Sequence, residues 1–237
     1  MPGVSLSVTN LVKRYGDETA LDVPALEVAP GERIALVGNN GAGKTTLLRS
    51  VLDLIEPTAG TVTIDGLEVG GSGLGWKHRV GSYLDAGFLV DFLRPEEYFR
   101  LVGGAYGMSA LEVDAQVERY RSFLGAALEG RRLIRDLSLG NAGKVGILGA
   151  LLPSPGLVLL DEPFANLDPG ARIALERLLL EVDATVLVSS HDLDHVVGVC
   201  SRVLVLSEGR VVRDTPSRPD TVAELRDFFA AGGLVAA

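Results

Sequence analysis

Gly38-Asn39-Asn40-Gly41-Ala42-Gly43-Lys44-Thr45-Thr46 lies directly after the apolar run Arg33–Val37 and directly before the helix-like run Leu47–Leu52. The pattern G-x-x-x-x-G-K-T between a strand and a helix reads as a phosphate-binding loop. Glycines are needed because the backbone must wrap a polyphosphate with its N–H groups inward, in conformations that a Cβ obstructs. The following helix adds its positive N-terminal end. Every residue from Gly38 to Thr46 is therefore a candidate nucleotide contact. Lys44 is expected to bridge the β- and γ-phosphates, and the Thr45 hydroxyl to complete the shell of a Mg²⁺ ion, which takes only a few protein oxygens beside phosphates and water.

Outward from this loop, short β-rich runs alternate with helix-like segments, which predicts an α/β protein with a mostly parallel sheet. Candidate strands are Arg33–Val37, Thr61–Ile64, Val158–Asp161, Thr185–Ser189 and Arg202–Leu206, with Arg210–Arg213 closing a hairpin through Glu208–Gly209. Most are apolar throughout, as strands covered on both faces should be. Ser5–Thr9 and Leu26–Ala29 read as antiparallel edge structure near the N-terminus. Between Asp85 and about Leu152 the period turns helical, and Arg94-Pro95-Glu96-Glu97 is a helix start with Pro in the first turn and carboxylates at the positive dipole end. The expected division is a core lobe of residues 1–84 and 153–215, an inserted helical lobe of 85–152, and a C-terminal helix and tail of 216–237. Thr221 and Glu224 have capping-box spacing, and Gly232-Gly233 stop that last helix.

A second chemical element closes the apolar strand Leu157-Val158-Leu159-Leu160, which runs into Asp161-Glu162-Pro163. Adjacent carboxylates at a strand's end point in opposite directions, so Asp161 is assigned to Mg²⁺ and Glu162 to polarising or deprotonating water. Downstream, Asp168 caps a helix that has Pro169 at its first position.

Composition narrows the class. The 237 residues carry 22 Lys+Arg against 31 Asp+Glu, a net charge of −9, with 47% hydrophobic residues and one cysteine. A chain of this length buries roughly 70% of its unfolded surface, enough for a real core. The acidic balance offers no broad cationic face for a nucleic-acid backbone, and the cluster Arg131, Arg132 and Arg135 reads as a solvated face or as salt-bridge partners. Cys200 reads as a small buried hydrophobe in a reducing compartment. No secretory leader is evident, and the longest uncharged stretch, Val145 to Leu160, is shorter than the eighteen or so residues of a membrane span and is broken by Pro153 and Pro155. His191-Asp192-Leu193-Asp194-His195 has two histidines at i, i+4 spacing, yet lacks the glutamate of a zinc-protease helix, and His195 reads as a helix-surface residue.

Over nearly its whole length the sequence resembles the ATP-binding cassette (ABC) ATPases, P-loop NTPases of RecA-like fold with an N-terminal antiparallel β subdomain and an inserted α-helical lobe. Beyond the two elements above, the likeness rests on Tyr15 in Lys13-Arg14-Tyr15-Gly16, on Leu137-Ser138-Leu139-Gly140-Asn141, which looks like the signature LSGGQ, on His191 in Ser189-Ser190-His191-Asp192, and on Asp168. The resemblance implies that Tyr15 stacks on adenine, that His191 contacts the γ-phosphate, and that Asp168 crosses to another subunit. It also implies that Ser138, Gly140 and Asn141 hold the ATP of that subunit, in a head-to-tail homodimer or heterodimer of cassettes with two MgATP at the interface. Asp85, after Val80-Gly81-Ser82-Tyr83-Leu84, takes the place of the usual Gln, and could reach Mg²⁺ through its oxygen although it is shorter and has no amide donor.

Phe88-Leu89-Val90-Asp91-Phe92-Leu93 is strongly apolar within a connection. In the family this region lines a groove for a membrane subunit, so it is expected either to dock such a partner or to close the helical lobe's core. The expected function is the ATP-hydrolysing subunit of a membrane ABC transporter, with ATP and Mg²⁺ as cofactors, no nucleic acid, and a separate permease that holds it at the inner face of the cell membrane. A soluble ABC switch or a low-turnover regulatory module is the alternative.

Overall fold

The computed structural model describes residues 2–191 and 193–230; Asp192 of the histidine motif and the Gly232-Gly233 stop lie outside them. Two sheets carry the fold. The first is a four-stranded antiparallel sheet of β1 (Leu6–Tyr15), β2 (Glu18–Val28), β4 (Ala59–Ile64) and β5 (Leu67–Glu68), in the order β2-β1-β4-β5. β1 pairs with β2 from Leu6 opposite Val28 to Tyr15 opposite Glu18. The second sheet has six strands, β3 (Arg33–Val37), β6 (Val80–Tyr83), β7 (Leu157–Leu160), β8 (Thr185–Ser190), β9 (Arg202–Ser207) and β10 (Arg210–Pro216), in the order β10-β9-β3-β8-β7-β6. All its pairings are parallel except the β9–β10 hairpin.

The expected mixed architecture is present, with two differences. β4 joins β1 in the antiparallel sheet rather than the parallel one. Its half-exposed, Thr-rich face is the reason, because a central parallel strand is buried on both sides, as β7 and β8 are throughout. β6 is a strand the sequence does not announce, since Gly81 and Ser82 interrupt it. The glycine is there for a close approach, as a Cβ at Gly81 would run into the Ala150 carbonyl.

The helices are α1 (Lys44–Val51), α2 (Pro95–Ala105), α3 (Ala110–Arg119), α4 (Arg121–Leu124), α5 (Leu139–Leu151), α6 (Pro169–Glu181), α7 (Leu193–Val197) and α8 (Thr221–Ala230). α2 begins as the sequence indicates, with a Glu97 carboxylate oxygen accepting the Arg94 N–H at 2.8 Å. The capping box at the start of α8 does not form. The Thr221 hydroxyl oxygen accepts the Arg218 N–H at 2.8 Å, the Glu224 N–H goes to the Asp220 carbonyl at 3.1 Å, and the Glu224 carboxylate pairs with Arg213.

Three buried clusters hold these layers. One packs α6 and α7 on one face of the parallel sheet, around Val158, Leu160, Leu175 and Val188. A second fills the space between the sheets and α1, around Leu11, Leu36, Leu48 and Leu159. The third lies among the helices of 95–151, around Phe99, Leu124, Val145 and Leu148. Cys200 is buried in the first cluster, which pushes its thiol pKa up to about 12.

Candidate functional site

The parallel sheet delivers three strand ends to one edge, and the chemistry collects there. β3 ends at Val37 and turns through Gly38, where a Cβ would strike the Leu206 carbonyl. Gly43, at φ 102, occupies the left-handed region directly before α1. The loop thus presents Lys44 and Thr45 from the first turn of a helix.

Lys44 is buried, 7% exposed, and its Nζ donates to the Gly38 carbonyl at 2.7 Å and to the Asn39 carbonyl at 3.4 Å. A buried ammonium requires a compensating charge, and Glu162 Oε1 supplies it at 3.7 Å. The Thr45 hydroxyl donates to Asp161 Oδ2 at 2.6 Å. Asp161 is also buried; its N–H bonds the Tyr83 carbonyl at 2.8 Å and its Oδ1 accepts from the Ser189 hydroxyl. Glu162 sits at φ 48, a conformation costly for a side chain with a Cβ and concentrated at functional sites. Its N–H donates to Ser189 Oγ at 2.9 Å, and its Oε2 lies 2.8 Å from His191 Nδ1 and accepts the His191 N–H at 3.3 Å.

Lys44, Thr45, Asp161 and Glu162 face a cavity of about 410 Å³, lined by the loop from Asn40 to Thr46 and by Thr19, Ala20 and Gly209 among others. Its chemistry fits a polyphosphate with a hard cation. The loop's backbone N–H groups and Lys44 suit phosphates, while the Thr45 hydroxyl and the Asp161 carboxylate are oxygen donors of the kind that Mg²⁺ takes beside phosphate and water. A second cavity of about 450 Å³ lies across the loop, bounded by Gly38, Asn39, His191 and, from α8, Arg226 and Phe229.

The remaining candidate residues lie outside the first cavity's lining. Tyr15 is 54% exposed at the end of β1, with the Lys13 ammonium 4.9 Å above its ring, so it does not pack into the core. The Asp85 carboxylate is exposed and accepts the Gly87 N–H at 2.6 Å. Ser138 caps α5, its Oγ accepting the Asn141 N–H at 3.3 Å. Gly140 lies so close to the Asn166 carbonyl that a Cβ there would collide with it. Asp168 caps α6 by accepting the Ala171 N–H at 2.9 Å. That bond, together with Lys144 Nζ at 3.8 Å, holds the Asp168 carboxyl below the usual carboxylate range. Ser138, Gly140, Asn141 and Asp168 thus form one surface patch, separate from the chain's own phosphate loop.

Two features at or near the site are hard to see in the sequence. Ser189 reads there only as the end of an apolar strand, and its role depends on β7 lying alongside. His195 is not a plain surface residue: Nδ1 bonds Glu176 Oε1 at 2.8 Å, Nε2 lies 3.1 Å from Arg172 Nη1, and the ring stacks on Phe164 at 5.6 Å. Phe88 and Phe92 are 54% and 64% exposed, whereas Leu89 points into the core of the helices.

The family model described as ABC transporter matches residues 21–165. A putative ABC transporter ATP-binding protein of Streptomyces coelicolor is 36% identical over 218 residues, covering 90% of this chain and 83% of that protein. The Nod factor export ATP-binding protein I of Cupriavidus metallidurans is 35% identical over 219 residues, covering 88% and 70%. Among solved structures, the ATP-binding subunit of an ABC transporter superposes with a TM-score of 0.82 at 31% identity, covering 94% of this chain and 93% of that one. A dimeric post-hydrolysis cassette bound to ADP and Pi shares the fold, with a TM-score of 0.80 at 24% identity. The chain belongs to the ABC transporter family, as one of its ATP-hydrolysing nucleotide-binding cassettes.

Proposed function

We propose that this cassette drives a membrane transporter by closing on ATP with a second cassette and reopening after hydrolysis. The observation that carries the reading is the convergence of Lys44, Thr45, Asp161 and Glu162 on one cavity, with His191 bonded to Glu162 from beside it. Lys44 binds phosphate oxygens. Thr45 and Asp161 hold Mg²⁺, which supplies charge neutralisation on those oxygens. Glu162 orients the attacking water and takes its proton, and His191, already within hydrogen-bond reach of Glu162, holds that carboxylate and contacts the γ-phosphate. Tyr15, exposed at the end of β1, stacks on adenine. Asp85, one of whose carboxylate oxygens accepts the Gly87 N–H, is a further oxygen donor proposed for the metal.

Each cassette completes its site with the other's signature patch. Ser138, Gly140 and Asn141 donate to the γ-phosphate across the interface, with Asp168 beside them. ATP then has a large differential affinity for the closed pair, which is the condition for a ligand to drive a conformational change. Residues 85–152 act as the lobe that carries this patch. Among the described residues no helix is long and apolar enough to cross a membrane. In this reading the transported solute passes through a separate permease. The exposed pair Phe88 and Phe92 is the surface it docks on.

Light scattering of Glu162→Gln tests the closure. With saturating MgATP the variant should run as a dimer and with MgADP as a monomer; a monomer in both, alone and beside a candidate partner cassette, overturns the reading. Charged replacement of Phe88 and Phe92 should uncouple hydrolysis from a co-purified permease, and intact coupling would remove the docking assignment.

A further inference from the structure

Ser189 is fully buried in β8, whose preceding residues Val186, Leu187 and Val188 are all apolar and equally buried. The strand turns polar where its neighbour does. β7 and β8 run in parallel register with Leu160 opposite Val188, which sets Ser189 level with Asp161. The Ser189 hydroxyl gives its only proton to Asp161 Oδ1 and takes the Glu162 N–H at 2.9 Å. Asp161 Oδ2 is taken by Thr45 at 2.6 Å, so both oxygens of that carboxylate are fixed and its plane cannot turn. The same hydroxyl anchors the peptide that puts Glu162 at φ 48.

We propose that Ser189 is a positioning residue for ATP hydrolysis: through one hydroxyl it sets both the carboxylate plane of Asp161 and the backbone from which Glu162 reaches water. The proposal rests on the ATPase reading of the site. A hydroxyl has one donor and two acceptor positions, so this is the smallest side chain able to serve both neighbours at once. An alanine would satisfy the packing of an apolar strand equally well. It would leave Asp161 Oδ1 without its donor at a buried position and the Glu162 N–H without its acceptor at a part-buried one. Asp161 could then rotate, and Glu162 could relax out of its left-handed conformation. Outer partners of metal ligands act in this way, typically at 10–100-fold in affinity or rate.

The test uses the full chain with Ser189→Ala, Ser189→Cys and Ser189→Thr. Binding of a fluorescent ATP analogue is followed in EDTA and against rising Mg²⁺, beside steady-state phosphate release. For Ser189→Ala, kcat should fall roughly 10–100-fold and the half-saturating Mg²⁺ for analogue binding should rise by a similar factor. Analogue affinity in EDTA and KM for ATP should stay within about threefold, because only the metal and the water are misplaced. Ser189→Thr, which keeps the hydroxyl, should recover both quantities. A folded Ser189→Ala with native kcat and native Mg²⁺ dependence overturns the proposal, as does an equal loss of affinity with and without Mg²⁺. If the alanine variant does not fold, the near-isosteric Ser189→Cys decides by the same two quantities. Failure of the native chain to bind the analogue at all would instead overturn the nucleotide reading.

Discussion

At the scale of single residues, the site holds its own charges in check. Glu162 Oε1 stands 3.7 Å from the Lys44 ammonium while Oε2 faces the His191 ring, so an incoming γ-phosphate must take Lys44 away from a carboxylate. In the proposed mechanism, Glu162→Gln removes that competitor together with the group that accepts water's proton. Turnover should fall about 10²–10⁴-fold, the usual contribution of a general base. ATP affinity measured in EDTA should rise a few-fold, since a phosphate and a carboxylate no longer compete for one ammonium. Titration calorimetry checks this, and an unchanged or weaker affinity would show that the Lys44–Glu162 contact does not oppose binding. Cys200 gives an independent residue-scale result. Burial raises its thiol to about 12 from an ordinary value near 8.5. The neutral thiol is thus favoured in the fold, a contribution fully present below the ordinary thiol pKa and lost as pH rises toward 12. At pH 8.5 a disulfide reagent should label the native chain only at the rate of opening and label it at once in urea. A stoichiometric burst from the native chain would contradict the burial.

Elements respond to the surroundings of each position more than to its residue type, and two adjacent glycines of α2 show it. A Cβ on Gly103 would overlap Val113 Cγ2 in the packed helical cluster, whereas a Cβ on Gly104 meets nothing. Gly104→Ala should stabilise by about 0.5–1 kcal/mol through helix propensity and a more restricted unfolded chain. Gly103→Ala gains the same propensity but overpacks a rigid β-branched neighbour, and should be destabilised by about 1–2 kcal/mol net. Opposite shifts in urea midpoint confirm the contrast; equal shifts sink it. The same dependence on neighbours separates what was legible in the sequence from what was not. The phosphate loop, the strand into Asp161-Glu162 and the caps at Arg94 and Asp168 are local grammar, and they are formed as read. β6 escaped because Gly81 answers to Ala150, far along the chain. Glu224 fits a capping box in sequence, but Arg213 on β10 claims its carboxylate. His195 reads as exposed until α6 brings Glu176 and Arg172 against it. The run 88–93 carried two readings because it serves two faces, Leu89 inward and the two phenylalanines outward.

For the whole molecule, charge bears on how the proposed pair of cassettes would meet. Each chain carries a net −9, and the proposed closed pair brings two such bodies together with two polyanionic nucleotides. Exposed like charges repel over a range set by salt, about 30 Å at 0.01 M and about 10 Å at 0.1 M. In the proposed pair the closing attraction would be short-ranged by contrast: Ser138 and the N–H groups near Gly140 on phosphate oxygens of the other cassette's nucleotide. Such contacts are screened far less than the long-range repulsion. Added salt should therefore weaken the opposing force more than the closing one. The dissociation constant of the Glu162→Gln dimer at saturating MgATP should fall several-fold between 0.01 M and 0.2 M potassium acetate, before specific ion effects intervene. Sedimentation velocity across that range checks it, with nucleotide occupancy verified at each salt so that a change in ATP binding is not mistaken for a change in association. A dissociation constant that rises with salt would mean that paired charges across the interface outweigh net repulsion, and would place the contact on a different face from the Ser138–Asp168 patch, where Lys144 is already engaged by Asp168 within its own chain.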